Sequence, residues 1–506
     1  MNLPEVKRNI RRVIAGLSAI ALVLLAGCDF QVIKVEEKES GISETDITSG
    51  LIPAPLETTV PPPLEIPDSE ELPLHKNTPE YEEAVNNAFQ GNSLTKITPK
   101  AKTELPEIDI SSSFDNKTET DIPDEVKKLI LDYHTDRYAS LGALKFISTS
   151  QYFDTTDTRG KFYSIFNDTI IEFLIYVRSN RTADLSYNKA FFRITVNEAE
   201  KFSGGYRLTY MINEGVDFAC TGTTSYSAYM EAEVLVKKCA DGRYRFIQYA
   251  EDTDVNLLFE EKVMEYLGYD YENNYLKDME IPSYLKSNST MLSLLHKQKY
   301  LADKNITLQK KILEQINKNP DQYNNVPATK YEYDAKKAVA YSYKWVDKTG
   351  IIRNPDYSDY SIYGGNCQNY VSQCLYAGGI PMDLKGDYEK QWKWYSDHSN
   401  HHETAWGTVP SWAGTEAFYV YCTTNTGSGL SAKATRYIYT ARPGDVMQYV
   451  VDDWARHSVI VSKVIYDTDG NVVEILVNSN TTDHIDYPLT AYGYTDIRLI
   501  RINGYN

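Results

Sequence analysis

The sequence predicts an α+β fold spread over more than one domain, and three observations carry that reading. At 506 residues the chain exceeds what one hydrophobic core usually serves, which points to two to four domains. A helical period that opens at Pro123 is followed by a run of strand-like segments instead of alternating with them. All six Trp fall between Trp345 and Trp454, so the C-terminal third differs in composition from the rest. The hydrophobic fraction of 42% suits globular folding and is too low for a polytopic membrane protein. A net charge of −18 argues against nonspecific binding of nucleic-acid phosphates. From Lys330 onward, 16 basic residues nearly balance 20 acidic ones, so most of the acidity lies upstream.

The N-terminus has the three parts of an export signal. Lys7, Arg8, Arg11 and Arg12 precede an apolar run from Val13 to Leu25, which is short for a spanning helix. Leu25-Ala26-Gly27-Cys28 then resembles a bacterial lipobox. That resemblance implies a signal peptide over 1–28, lipidation of Cys28, and a chain anchored to the membrane on its extracytoplasmic face. Residues 29–121 are rich in Pro, Glu, Ser and Thr, include Val60-Pro61-Pro62-Pro63, and lack a sustained hydrophobic period. They are expected to form a disordered tether, with at most a short helix near Tyr81 to Phe89.

An accessory domain is expected over 122–280. Val126, Leu129, Ile130, Tyr133, Tyr138 and Leu141 recur at helical steps behind Asp124 and Glu125. Strand-like runs follow at Ile170–Val177, Phe191–Val196, Tyr206–Asn213, Tyr229–Val236 and Tyr244–Tyr249. The order is similar to a cone-shaped, cystatin-like fold. Cys220 and Cys239 would sit at opposite ends of a long strand, too far apart for a disulfide. Residues 281–328 read as a helical connector with Gln309, Lys310 and Lys311 on a solvated face.

The chemistry is expected in 329–506. Gly364-Gly365-Asn366 precedes Cys367, and Val371, Cys374, Leu375 and Ala377 supply the stripe of a short helix that ends at Gly378-Gly379. Cys367 therefore falls at a helix N-terminus, where exposed N–H groups and the dipole favour a thiolate. A thiolate attacks carbonyl carbon but needs a proton donor for the leaving amine. His457 opens a strand, His457-Ser458-Val459-Ile460-Val461, placed to face the Cys367 helix. Asn480, at the end of the next strand, is the candidate that orients the ring, with Asp483 as the alternative.

Three segments, GGNCQNYVSQCLYAGGIP (364–381), RPGDVMQY (442–449) and ARHSVIVSKV (455–464), together resemble the bacterial putative amidase domain family. The resemblance covers Tyr331 to Ile502. It implies a papain-like domain, with the Cys helix packed on an antiparallel sheet, that cleaves amide bonds, commonly in peptidoglycan peptides, without a cofactor. The family usually has Asp at Asn366, Thr at Gln368, Phe at Tyr370 and His at Asn480, so the last departure leaves the third catalytic member open between Asn480 and Asp483.

Cys374 and Cys422 are expected to be core residues. His398, His401, His402 and Glu403 cluster without the spacing of a zinc-peptidase helix, so no metal is expected. Trp392, Trp394 and Trp406 could line a substrate groove or fill the core, while Trp412 suits a structural place. Beside the amidase reading stand two others, an inactive papain-like module that binds wall peptides or an envelope partner, and a structural envelope or spore lipoprotein.

Overall fold

The computed structural model describes residues 79–89, 93–94, 105–110, 114–269, 275–286, 288–323, 327–348, 352–361, 365–395 and 407–506. The expected signal and Cys28 lie outside them, as do Trp406 and the His398–Glu403 cluster. Among the described residues, no helix is long and apolar enough to cross a membrane.

The fold is mixed α/β around one large open sheet. Its principal helices are α1 (Pro79–Phe89), α2 (Asp124–Gly142), α3 (Thr158–Ser179), α4 (Asp254–Leu267), α5 (Asn288–Lys318), α6 (Ala335–Lys344), α7 (Cys367–Ala377) and α8 (Thr415–Thr424). Three short strands come first, β1 (Ser93–Leu94), β2 (Glu107–Asp109) and β3 (Phe114–Asn116). The accessory segment adds β4 (Tyr187–Phe202), β5 (Gly205–Phe218), β6 (Ser225–Lys238) and β7 (Tyr244–Glu251). The C-terminal segment adds β8 (Leu430–Thr435), β9 (Val446–Val451), β10 (Trp454–Asp467), β11 (Val472–Ser479), β12 (Asp483–Pro488) and β13 (Asp496–Tyr505).

The strand order β2-β4-β5-β6-β12-β11-β10-β9-β13-β8 runs unbroken from the accessory segment into the C-terminal one. The junction is β6, which forks. Its first half pairs with β12 (Ser227 opposite His484) and its second half with β7 (Ala232 opposite Glu251). Between them Tyr229 takes a left-handed backbone, φ 67°, and its N–H is held by the Asn213 side chain at 3.0 Å. Such a kink in a long strand turns its two halves toward different partners.

Burial explains why the halves stay together. β10 is buried on both faces from His457 to Ile465. Val459 and Val461 point into a core shared with α2, α3 and the accessory strands, along with Tyr449, Ile475, Val477 and Leu499. Ile460 points the other way, into a second core with Val371, Cys374, Leu375, Trp392 and Trp412. The C-terminal sheet is thus the middle layer between the accessory segment and α7. Arg178 of α3 donates to the Ala491 carbonyl at 3.1 Å and to the Tyr487 hydroxyl at 3.1 Å, pinning the layers at one side.

Several expectations are corrected. Ile170–Val177 is not a strand but the second half of α3. Asp157 caps that helix by accepting from the Arg159 and Gly160 N–H groups, and apolar residues recur from Phe162 onward, so β-branched content alone misled. The tether expected to reach 121 is ordered at its end, because β2 and β3 pair in parallel with β4 and α1 contacts α6 through Asn86 and Lys336. Gln309 is buried, accepting from Arg181 and donating to the Thr495 carbonyl at 2.9 Å, while Lys310 and Lys311 are exposed. Cys220 and Cys239 are both free thiols.

Each fully buried aliphatic or aromatic side chain contributes about 1.5–3 kcal/mol, so uncovering the accessory-facing side of β9–β11 would be costly. A fragment beginning at residue 329 is expected to bind a hydrophobic dye and unfold without a cooperative transition, whereas the full chain melts cooperatively. A cooperative, dye-silent fragment would contradict the shared core.

Candidate active site

Cys367 is the first residue of α7, with Asn366 before it as the cap position. The cap is fixed from several sides. The Asn366 N–H donates to the Thr481 hydroxyl at 2.6 Å, and its side-chain nitrogen donates to the side-chain oxygen of Asn480 at 2.7 Å. Its side-chain oxygen accepts from the Tyr360 N–H at 3.1 Å and from Asn369 at 2.8 Å. These bonds lash the start of α7 to the turn between β11 and β12. The first-turn N–H groups of a helix have no intrahelical acceptor, so the sulfur sits beside unspent donors.

His457 stands opposite Tyr449 in the β10–β9 ladder. A bulge between Ala455 and His457 resets the alternation, after which His457 shares a face with Val459 and Val461. That face looks toward the accessory segment, not toward the apolar stripe of α7, contrary to the expected orientation. Tyr449 stacks on the imidazole with ring centres 6.0 Å apart and planes 13° apart, and Tyr492 lies at 6.0 Å on a tilt. Cys367 nevertheless acts on the ring from the first position of its helix. The sulfur lies close enough to the ring for its charge to act on it. Each is only 7% exposed, so the pair is sheltered from water but not sealed.

Burial alone would disfavour a charged imidazole. Against it, the Asp254 carboxylate and the Cys367 sulfur raise the His457 pKa to about 9. Nearby His484 goes the other way: burial and the charge of His457 lower it to about 3, so it is neutral at ordinary pH. The arrangement therefore supplies a protonated ring beside a sulfur, which is the resting pair that nucleophilic thiol catalysis requires.

The other candidates fall elsewhere. Asn480 uses its side-chain oxygen on Asn366 and its nitrogen on the Trp345 carbonyl at 3.2 Å, so it holds the Cys367 loop and makes no hydrogen bond to His457. Asp483 is ion-paired with Arg353 at 2.9 Å. Trp392 and Trp394 do not line a groove. Trp392 is fully buried with its indole N–H donating to the Ser372 hydroxyl at 3.1 Å, and Trp394 packs in the same core against Tyr357. Cys374 and Cys422 are buried in that core, and burial pushes both thiols up, which suits inert residues. Among the described residues, Glu261, Glu265 and Asp452 gather closely, with Lys262 bonded to Glu265 at 2.7 Å and to Asp452 at 2.9 Å, in the place a cation would take. Asp254, Tyr449 and Tyr492 are the site neighbours that sequence reasoning missed.

Removing the Asn480 amide deletes two neutral hydrogen bonds worth about 0.5–1.5 kcal/mol each. Asn480→Ala is expected to lower stability by about 1–3 kcal/mol in urea unfolding while leaving the pH midpoint of Cys367 alkylation in place. A displaced midpoint with little stability change would instead make Asn480 the partner of His457.

A stretch of 155 residues is 33% identical to the uncharacterized protein YhbB of Bacillus subtilis (strain 168), covering 30% of this chain and 43% of that protein. The chain thus spans less than half the length of that relative. No solved structure matches it. Residues 332–502, which contain both Cys367 and His457, match the family described as "Putative amidase domain", so the C-terminal third of this chain is similar to that family.

Proposed function

We propose that this protein is a cysteine amidase or peptidase that hydrolyses amide bonds in peptidoglycan peptides, held by a lipid on Cys28 at the extracytoplasmic face of the membrane. The observation that carries the catalytic part is the approach of the Cys367 sulfur to a buried His457 ring whose pKa is raised to about 9. The family match over 332–502 supports amide hydrolysis, and the lipobox-like Leu25-Ala26-Gly27-Cys28 supports the anchor.

The chemistry follows from the positions. The Cys367 sulfur attacks the scissile carbonyl carbon, and the electron pair of the C=O bond moves onto oxygen. Cys367 is the first residue of α7, so the N–H groups of that first turn are the candidate donors to the oxyanion, and such donors contribute about 2.7–4 kcal/mol each in related sites. The imidazolium of His457 gives its proton to the nitrogen of the leaving amine as the C–N bond breaks, which leaves a thioester. The ring, now neutral, takes a proton from water as water attacks the thioester, and the carboxylate and thiolate are released.

Mass analysis of products from purified peptidoglycan tests this reading. The wild type is expected to release new amino and carboxyl ends. Cys367→Ala and His457→Ala are each expected to reduce that release by about a thousandfold or more, whereas Cys374→Ala retains it. Equal products from wild type and Cys367→Ala would refute the enzyme.

A further inference from the structure

Resting on the Cys367–His457 reading, we propose that Asp254, which comes from the accessory segment, is a positioning residue of the active site, the counter-charge that keeps the His457 ring protonated. The reactive pair is then completed by both halves of the chain.

Four observations converge on it. The alternation of β10 turns His457 toward the accessory side. The ring nitrogen Nε2 is buried and has no hydrogen-bond partner among the described residues, Asp254 included, so a charge facing that end of the ring acts on it through space and not through a bond. Asp254 is the first residue of α4, where the helix dipole favours an ionised carboxylate. The neighbouring Val255 approaches so closely that a Cβ on Gly493 would lie 2.7 Å from it, which brings Tyr492 and the start of α4 together. Asp254, Tyr492 and His484 then share the wall of one cavity of about 100 Å³.

The other charged groups around that cavity are accounted for. Arg137 and Glu251 pair with each other, and Arg178 is spent on Ala491 and Tyr487. Burial raises the pKa of Glu214, which weakens it as a competing anion. His484 is neutral, and burial drives the hydroxyls of Tyr449 and Tyr492 well above their ordinary range, so neither ionises. Asp252, two residues away, is exposed and screened. Asp254 itself has no Lys or Arg ion-pair partner among the described residues. Its own carboxyl is pushed up by burial and drawn back by His457, as a mutual pair requires.

The test is the pH dependence of iodoacetamide alkylation of Cys367, followed by peptide mass analysis on the full chain. An opposite charge at close range shifts a titrating group by about one to three pH units. Asp254→Asn, matched for size, is expected to slow alkylation near pH 6.5 by about tenfold or more, since each unit lost from the imidazolium is a tenfold change in proton sharing. Asp254→Glu is expected to restore most of the rate, and Asp252→Asn to match the wild type. Melting curves for every variant separate a folding defect from a lost charge. An Asp254→Asn profile superimposed on the wild type overturns the assignment while leaving the Cys367–His457 pair intact. A role for Asp254 in holding a substrate amine predicts that same unchanged profile in the free enzyme. Wild-type alkylation no faster than glutathione, and unmoved by His457→Ala, overturns the pair and this proposal together.

Discussion

Everything functional in this molecule depends on β10 being covered on both sides. A strand with one wet face could present a histidine to solvent, but not a histidine sandwiched between a helix start and a second domain. Here one face of β10 packs beneath α7 and the other beneath the accessory layer, so the strand carries the near-continuous apolar run Val459-Ile460-Val461. The fork in β6 makes this geometry available, since it lets a single strand join the accessory hairpins to β12. The accessory segment is therefore part of the wall of the site, not a neighbour on a string.

That enclosure creates an electrostatic problem and also answers it. A buried imidazolium without a counter-charge is costly, and breaking a buried ion pair commonly costs about 3–5 kcal/mol. The sulfur of Cys367 and the carboxylate of Asp254 both stabilise the charged ring, and together they outweigh burial. The same field acts oppositely on His484, which has no such compensation and stays neutral. Two histidines close in space thus take opposite protonation states because their neighbours differ. Divergence of this kind between adjacent titrating groups is a common mark of acid–base machinery.

That Cys367 opens a helix and that His457 lies in a strand was legible in the sequence because those signals are local. Two glycines, a cysteine and an amphipathic stripe define a helix start, and the apolar run behind His457 marks a strand, although that strand begins earlier, at Trp454. Long-range partners were not legible. Asp254 lies about two hundred residues before His457 and, following Thr253, reads simply as a helix-opening acid. Asn480 was placed near the site by its position after β11, but only the fold shows its amide committed to Asn366 and Trp345. Trp392 and Trp394 were ambiguous because a flat apolar ring suits a core as well as a groove, and packing decided for the core. The helix over 158–179 was half misread because its second half is rich in Ile and Phe, which strands also favour. The cap at Asp157 was the signal that could have corrected it.

The most direct test of a sulfur activated by its surroundings is a competition between cysteines within one molecule. Cys239 is more exposed than Cys367, and its thiol is raised by burial and by Asp154. Brief treatment of the full chain with substoichiometric iodoacetamide at neutral pH, followed by peptide mapping, ranks the two. The account predicts that label appears first on Cys367 despite its burial. Label on Cys239 first, with Cys367 reacting only on unfolding, would contradict it.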